Sequence, residues 1–294
     1  MTWLNRPGKR VRRGLVPGRG EMVLSWRKLC SGGVVRLTAG EAVTLGLVQG
    51  LTEFLPISSS GHLVIFQHWL GVSTPGLLFE VLVHFGTLLA VVLAFWPDIA
   101  LILRRPWHKM MVLIVVGTVP TVLMGVLLEP VFGAAFESTG VVGAALVITG
   151  CLLWWAGRCR PGRKQLATTS LLDALAVGFG QGLAITPGLS RSGTTIAFAL
   201  LRGLERGMAA RYSFLLSIPA VLGATLWEAR GLTSQPAGMA VPAEYWLAAA
   251  VAALSGYAAI RVLLAVLERG RLHYFSYYCW LLGGIVLVLT AAGL

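Results

Sequence analysis

Gln49 and Glu53 stand four residues apart, and Ser58, Ser59, Ser60 and His62 follow at once. Residues at that spacing share one face of a helix, so an amide and a carboxylate are presented together. A second polar run holds Ser190, Arg191, Ser192, Thr194 and Thr195. The planar fork of a guanidinium matches phosphate oxygens. Pro56 falls within the first run and Pro187 just ahead of the second, so each polar run sits where a break ends and a helix begins. Free N–H groups and the positive end of the helix dipole point into such a break and suit an anion. A carboxylate and an amide oxygen facing a phosphate in turn suit a hard cation, Mg or Ca, with Glu53 and Gln49 as ligands. The hydroxyls and His62 supply a nucleophile and a proton carrier.

These groups lie in a greasy chain. Of 294 residues, 56% are hydrophobic and only 12% charged, about half the charge of an ordinary soluble domain. Apolar runs at 81–96, 111–128, 141–156, 212–227, 246–267 and 278–292 are read as six spans, several near the minimum length for crossing a bilayer. The net charge of +12 does not indicate nucleic acid, because the cations cluster in short loops and at the N-terminus, where membrane topology explains them. The four cysteines show no metal-ligand spacing. Residues 1–38 carry nine Arg and Lys with several Gly and Pro and are read as a disordered basic extension, with Met22 as a second possible start. Residues 39–294 are read as one membrane domain.

The domain repeats itself. Gln49-Gly50-Leu51 recurs as Gln181-Gly182-Leu183, an offset of 132 residues (181 − 49). Ser58, Ser60 and Gly61 recur as Ser190, Ser192 and Gly193, and the same offset carries the first three spans onto the last three. Two units, about 41–157 and 173–292, each hold a polar segment and three spans. Three is odd, so the second unit enters the membrane inverted, and sites in such folds lie where interrupted segments meet. Segments 41–68 and 173–200 are read as helix, break, helix, with breaks at Pro56 to Ser60 and Pro187 to Ser192. A break at membrane depth must be buried or line a wet cavity, which two re-entrant hairpins satisfy. Loops 97–110, 157–170 and 268–272 hold most of the loop cations and are placed in the cytoplasm, which puts both termini outside. The basic N-terminus runs against that placement.

The stretches QGLTEFLPISSSGH and PGLSRSGTT closely resemble the two signature motifs of the bacterial undecaprenyl-diphosphate phosphatases, once called bacitracin-resistance proteins. The resemblance covers about residues 40–294. It implies an all-α integral membrane hydrolase, with six transmembrane helices and two re-entrant helical hairpins in an inverted-topology repeat. The implied reaction removes the terminal phosphate of undecaprenyl diphosphate and regenerates the lipid carrier for cell-wall polymers. The implied place is the bacterial inner membrane, with the site opening to the periplasmic face. Glu53, Ser59, His62 and Arg191 would then be catalytic: Ser59 the attacking hydroxyl by resemblance, His62 general base or acid. Gln49, Ser58, Ser60, Ser190, Ser192, Thr194 and Thr195 would bind the substrate. A water nucleophile, with Ser59 only binding phosphate, remains open, as does homo-oligomerisation. The partners implied are a polyprenyl diphosphate and membrane lipids.

Plainer roles compete. Serines at a turn often only cap helices, and one of Ser58 and Ser60 is expected to do so. Glu53 and Arg191 could form a simple buried ion pair, which would leave the hydroxyls and the repeat unexplained. Glu80 and His84 are expected to pair or to line the cavity mouth. His68, His108 and His273 are expected to have no role, and the tryptophans near span ends to form an interfacial belt. A prenyl-phosphate flippase is the competing function, since inverted repeats with broken helices are common in transporters. A second membrane lipid-phosphatase superfamily needs a His followed by an Asp after its Arg. The only His after Arg191 is His273, with no Asp behind it.

Overall fold

The computed structural model describes residues 36–72, 77–136, 138–160, 162–229 and 241–293. The basic extension therefore lies outside the described residues up to position 35. Leu37 is already buried, and Thr38 caps the first helix.

Every regular element among the described residues is a helix. In order they are α1 (Ala39–Phe54), α2 (Ser59–Trp69), α3 (Leu77–Ala94), α4 (Trp96–Arg104), α5 (Lys109–Leu127), α6 (Glu129–Phe136), α7 (Thr139–Arg158), α8 (Leu171–Leu183), α9 (Arg191–Leu201), α10 (Arg206–Ala229), α11 (Ala243–Glu268) and α12 (Tyr274–Ala291). Six of them, α3, α5, α7, α10, α11 and α12, are long and apolar enough to cross a bilayer. They coincide with the six expected spans. Most start a few residues earlier, because polar end residues such as Lys109 and Arg206 extend the helix into the interfacial zone. This is an all-α integral membrane protein.

The 132-residue offset holds in three dimensions. It carries α2 (59–69) onto α9 (191–201) residue for residue, and α3, α5 and α7 onto α10, α11 and α12. It also carries one helix start onto another. Thr38 and Glu41 form a capping box at α1, and Ser170 and Asp173 form its counterpart at α8, each satisfying two orphan backbone donors. Packing obeys the same symmetry. α1 lies along α11 of the other unit, where Gly46 meets the Ala248 backbone, and α8 lies along α5, where Gly178 meets the Gly117 backbone. α7 pairs with α12, and α3 with α10. Each unit thus completes the other, and three spans per unit reverse the second relative to the first.

The basic loops gather at one end of the molecule. Lys109 Nζ donates to the Ala167 carbonyl (2.6 Å), the Lys164 N–H to the Gly203 carbonyl (3.0 Å) and Arg206 Nη1 to the Glu268 carbonyl (3.3 Å). Asp173, fully buried in the first turn of α8, ties this end together by pairing with Lys164 (2.9 Å) and Arg202 (2.8 Å). Burial alone would raise its carboxyl. The Ser170 N–H and hydroxyl, Lys164 and Arg202 outweigh burial and hold it below the ordinary carboxylate range. At the other end, Thr290 donates to Thr139 (3.1 Å) and Phe79 meets Tyr245 edge-on.

Candidate active site

Both polar segments break at the expected prolines, but each following helix begins two residues before the expected Gly61 or Gly193. α2 begins at Ser59 and α9 at Arg191. The cause is local. Ser58 adopts φ +70°, a left-handed conformation that is costly for a residue other than glycine, and this reverses the chain just ahead of Ser59. In the second unit Gly188 takes the positive φ (+90°), and Ser190 then caps α9 by accepting from the Gly193 N–H (3.2 Å). Ser59 and Arg191 thereby become first helical residues, where N–H groups have no partner inside the helix.

The two breaks touch. Ser192 Oγ donates to the Leu55 carbonyl (3.4 Å), and a Cβ on Gly193 would lie 3.0 Å from Pro56 Cβ. At this seam Glu53 collects three partners. Arg191 Nη2 donates to Oε1, Ser59 Oγ donates to Oε2 (2.7 Å), and Gln49 Nε2 donates to Oε2 (3.2 Å). Glu53 and Gln49 are buried, and Arg191 nearly so. Two buried polar atoms of this cluster, Arg191 Nη1 and Gln49 Oε1, have no partner among the described residues, and neither does Thr194 Oγ1 on α9. Leaving such groups unpaired costs free energy. They are the natural contacts for a ligand. A small hollow beside Arg191 is lined by Phe54, Ser192, Thr195, Ser213, Phe214 and Ser217.

The remaining expected residues have structural partners. Ser58 Oγ and Ser60 Oγ face each other at 3.4 Å, and Ser190 Oγ and Ser192 Oγ at 3.3 Å. Thr195 Oγ1 donates to the Arg191 carbonyl (2.8 Å) and meets Ser213 Oγ at 2.5 Å. The cap falls to Ser190 in the second unit, while Ser58 supplies the left-handed turn in the first. Both ring nitrogens of His62 are taken by partners other than the Ser59 hydroxyl. Its Nδ1 lies 2.6 Å from the Ser58 carbonyl and its Nε2 2.5 Å from Tyr278 Oη. His84 Nδ1 donates to the backbone carbonyl of Glu80 (2.8 Å).

Sequence reasoning missed the residues that hold the breaks from outside. α12 presses on the first break, with Cys279 Sγ donating to the Pro56 carbonyl (3.4 Å) and Tyr278 meeting His62. α7 presses on the second, with Thr149 Oγ1 accepting from the Ser190 N–H (3.1 Å). Both helices read as ordinary apolar spans, and their few polar atoms carry no motif. For Thr149 a lone hydroxyl inside an apolar run was the available signal.

The fit of a divalent cation turns on Gln49 Oε1. An orphaned buried amide oxygen beside a carboxylate is a donor set for a hard cation. No cluster of three His, Cys, Asp or Glu side chains occurs among the described residues. Such a cation would therefore draw its other oxygens from phosphate and water, as Mg commonly does.

The fold and site together define a duplicated all-α integral membrane protein in which the Arg191–Glu53 guanidinium–carboxylate pair bridges the two units. The chain belongs to the bacitracin resistance protein BacA family, whose profile matches residues 42–285. It is 48% identical over 257 residues to an undecaprenyl-diphosphatase of Carboxydothermus hydrogenoformans, covering 86% of this chain and 98% of that protein. It is 43% identical over 252 residues to an undecaprenyl-diphosphatase of Halothermothrix orenii (85% and 97%). It is 40% identical over 271 residues to one from Methanosphaera stadtmanae (85% and 97%).

Proposed function

We propose that this protein is an undecaprenyl-diphosphatase that removes the terminal phosphate of the C55 diphosphate and returns the monophosphate carrier to cell-wall synthesis. The observation that carries this is the joint at Glu53, where a guanidinium and a hydroxyl from opposite units meet one carboxylate. Family membership and relatives named for this activity support it. The segments α1–α2 and α8–α9 act as re-entrant hairpins, one entering from each side. Their packing supports this: Gly50 meets α11 near its middle, at Ala252 to Gly256, and Ser190 meets α7 near its middle, at Thr149. The protein sits in the inner membrane with the site open to the periplasmic face, where α1 begins, opposite the basic loops.

The unpaired Nη1 of Arg191 and the first amides of α2 and α9, which have no partner inside their helices, take the diphosphate. Ser59 Oγ attacks the terminal phosphorus while its proton passes to Glu53 Oε2, to which it already donates. A bond forms between Ser59 Oγ and phosphorus, and the bond to the bridging oxygen breaks. The prenyl monophosphate leaves with that electron pair. Water then cleaves the phosphoserine. A water nucleophile activated by Glu53 would use the same groups, with Ser59 binding phosphate. Positioning and charge neutralisation supply most of the rate in phosphoryl transfer. A divalent cation, Mg or Ca, held by Glu53 and Gln49 Oε1 would add neutralising charge on the phosphates.

Phosphate release from undecaprenyl diphosphate by the purified, detergent-solubilised protein tests this proposal. Stoichiometric release supports hydrolysis, whereas a protein that only moves the lipid across the bilayer releases none.

A further inference from the structure

Tyr278 lies in α12, in the other unit, 216 residues from His62. Its ring stacks on the imidazole at 5.6 Å with 16° between planes, and its hydroxyl oxygen lies 2.5 Å from Nε2. The opposite ring nitrogen, Nδ1, lies 2.6 Å from the Ser58 carbonyl. A carbonyl oxygen can only accept, so Nδ1 carries the hydrogen. In the neutral ring Nε2 is then a bare acceptor, and the Tyr278 hydroxyl must be the donor. Both nitrogens are thus committed, and the tautomer follows from the partners.

Ser58 is the residue in the left-handed conformation, and its carbonyl belongs to the peptide that leads into Ser59. The contacts run in a line: Tyr278 on a spanning helix, His62, the strained Ser58 peptide, then Ser59 on Glu53. The neighbouring bond from Cys279 Sγ to the Pro56 carbonyl fastens the same turn to the same helix.

We propose that Tyr278 is a positioning residue of this site, acting through His62 to hold the Ser58–Ser59 turn in its reactive geometry. His62 then orients the peptide that bears Ser59, and Glu53 receives the hydroxyl proton. This inference rests on the hydrolase proposal for its kinetic consequences, but not for its tautomer.

The test uses the full-length protein in detergent. In the wild type, 15N resonances of His62, assigned by their loss in His62→Ala, report the tautomer without turnover. The expected result is protonated Nδ1 with an accepting Nε2; a protonated Nε2 overturns the proposal even if every variant unfolds. Tyr278→Phe keeps the ring and removes the hydroxyl. It is expected to lower kcat roughly 10–100-fold, the usual cost of losing a group that fixes an active-site imidazole, with KM within about twofold and an unchanged melting temperature. In the His62→Ala background the same change is expected to cost nothing further. A wild-type kcat in Tyr278→Phe, or an equal loss in both backgrounds, overturns it. Absence of phosphate release from the wild type would instead sink the hydrolase proposal while leaving the 15N result readable.

Discussion

Ser59 and Arg191 occupy equivalent positions in the two units, 132 residues apart (191 − 59), and both close on the carboxylate of Glu53. Each is the first residue of the helix after its break. The duplication therefore places a hydroxyl from one unit opposite a guanidinium from the other, with the carboxylate between them. A single unit could build neither the pair nor the seam, because the seam is made by Ser192 and Gly193 of one unit against Leu55 and Pro56 of the other.

Arg191→Ala is expected to lower phosphate release roughly 10²–10³-fold, the scale for losing one charged donor at developing negative charge. Arg191→Lys is expected to recover little of this, since an ammonium cannot hold Glu53 with one amino group and a phosphate with the other. Steady-state phosphate release in detergent checks both, and wild-type turnover in either variant contradicts the assignment.

Ser59→Ala removes the hydroxyl that donates to Glu53 Oε2. If Ser59 forms the bond to phosphorus, kcat is expected to fall roughly 10³-fold or more, and acid quench of the wild type with labelled diphosphate should yield phosphoserine at position 59. A variant that retains most of its turnover would assign attack to water.

The fold was largely legible in the sequence because its two strongest signals are physical necessities. Spans must be apolar over bilayer length, and breaks at depth must be polar. The Gln-Gly-Leu recurrence then fixed the pairing of the units. Glu53, Ser59 and Arg191 stood out because ionisable and nucleophilic groups are conspicuous in apolar surroundings. Helix starts came out two residues late, since nothing in three consecutive serines announces that Ser58 adopts positive φ. The partner of His62 was also hidden. Tyr278 sits among Tyr274, Phe275, Tyr277 and Trp280, where an interfacial aromatic belt is the ordinary explanation. Contacts 216 residues apart leave no local pattern.

Gly50 lets α1 approach α11. A Cβ there would lie 2.8 Å from the Gly256 backbone nitrogen and would also collide with Ala252 and Ser255. Gly50→Ala is expected to destabilise the protein by about 1–3 kcal/mol, the usual cost of overpacking, and to displace Gln49 and Glu53 together. Thermal unfolding in detergent checks the first effect and phosphate release the second.

Asp173 gives a pH test remote from the chemistry. Its folded pKa is depressed, so its contribution to stability is complete above the unfolded carboxyl value of 3.8. That contribution fades as pH falls through the folded value. Asp173→Asn is expected to cost about 1–3 kcal/mol near neutral pH, the range for charge-assisted hydrogen bonds. The deficit should shrink below about pH 4. Melting temperatures of both proteins between pH 3 and pH 7 check this, and a deficit independent of pH would contradict the clamp.

The most direct measurement of the joint site is a double-mutant cycle on phosphate release from undecaprenyl diphosphate, using Glu53→Gln, Arg191→Gln and both together. Groups that act as one unit lose their effect together, so the double variant should be no slower than the worse single variant to within about threefold. Losses that multiply would show that Glu53 and Arg191 serve the reaction separately, and the account of a single site built by two units would fail.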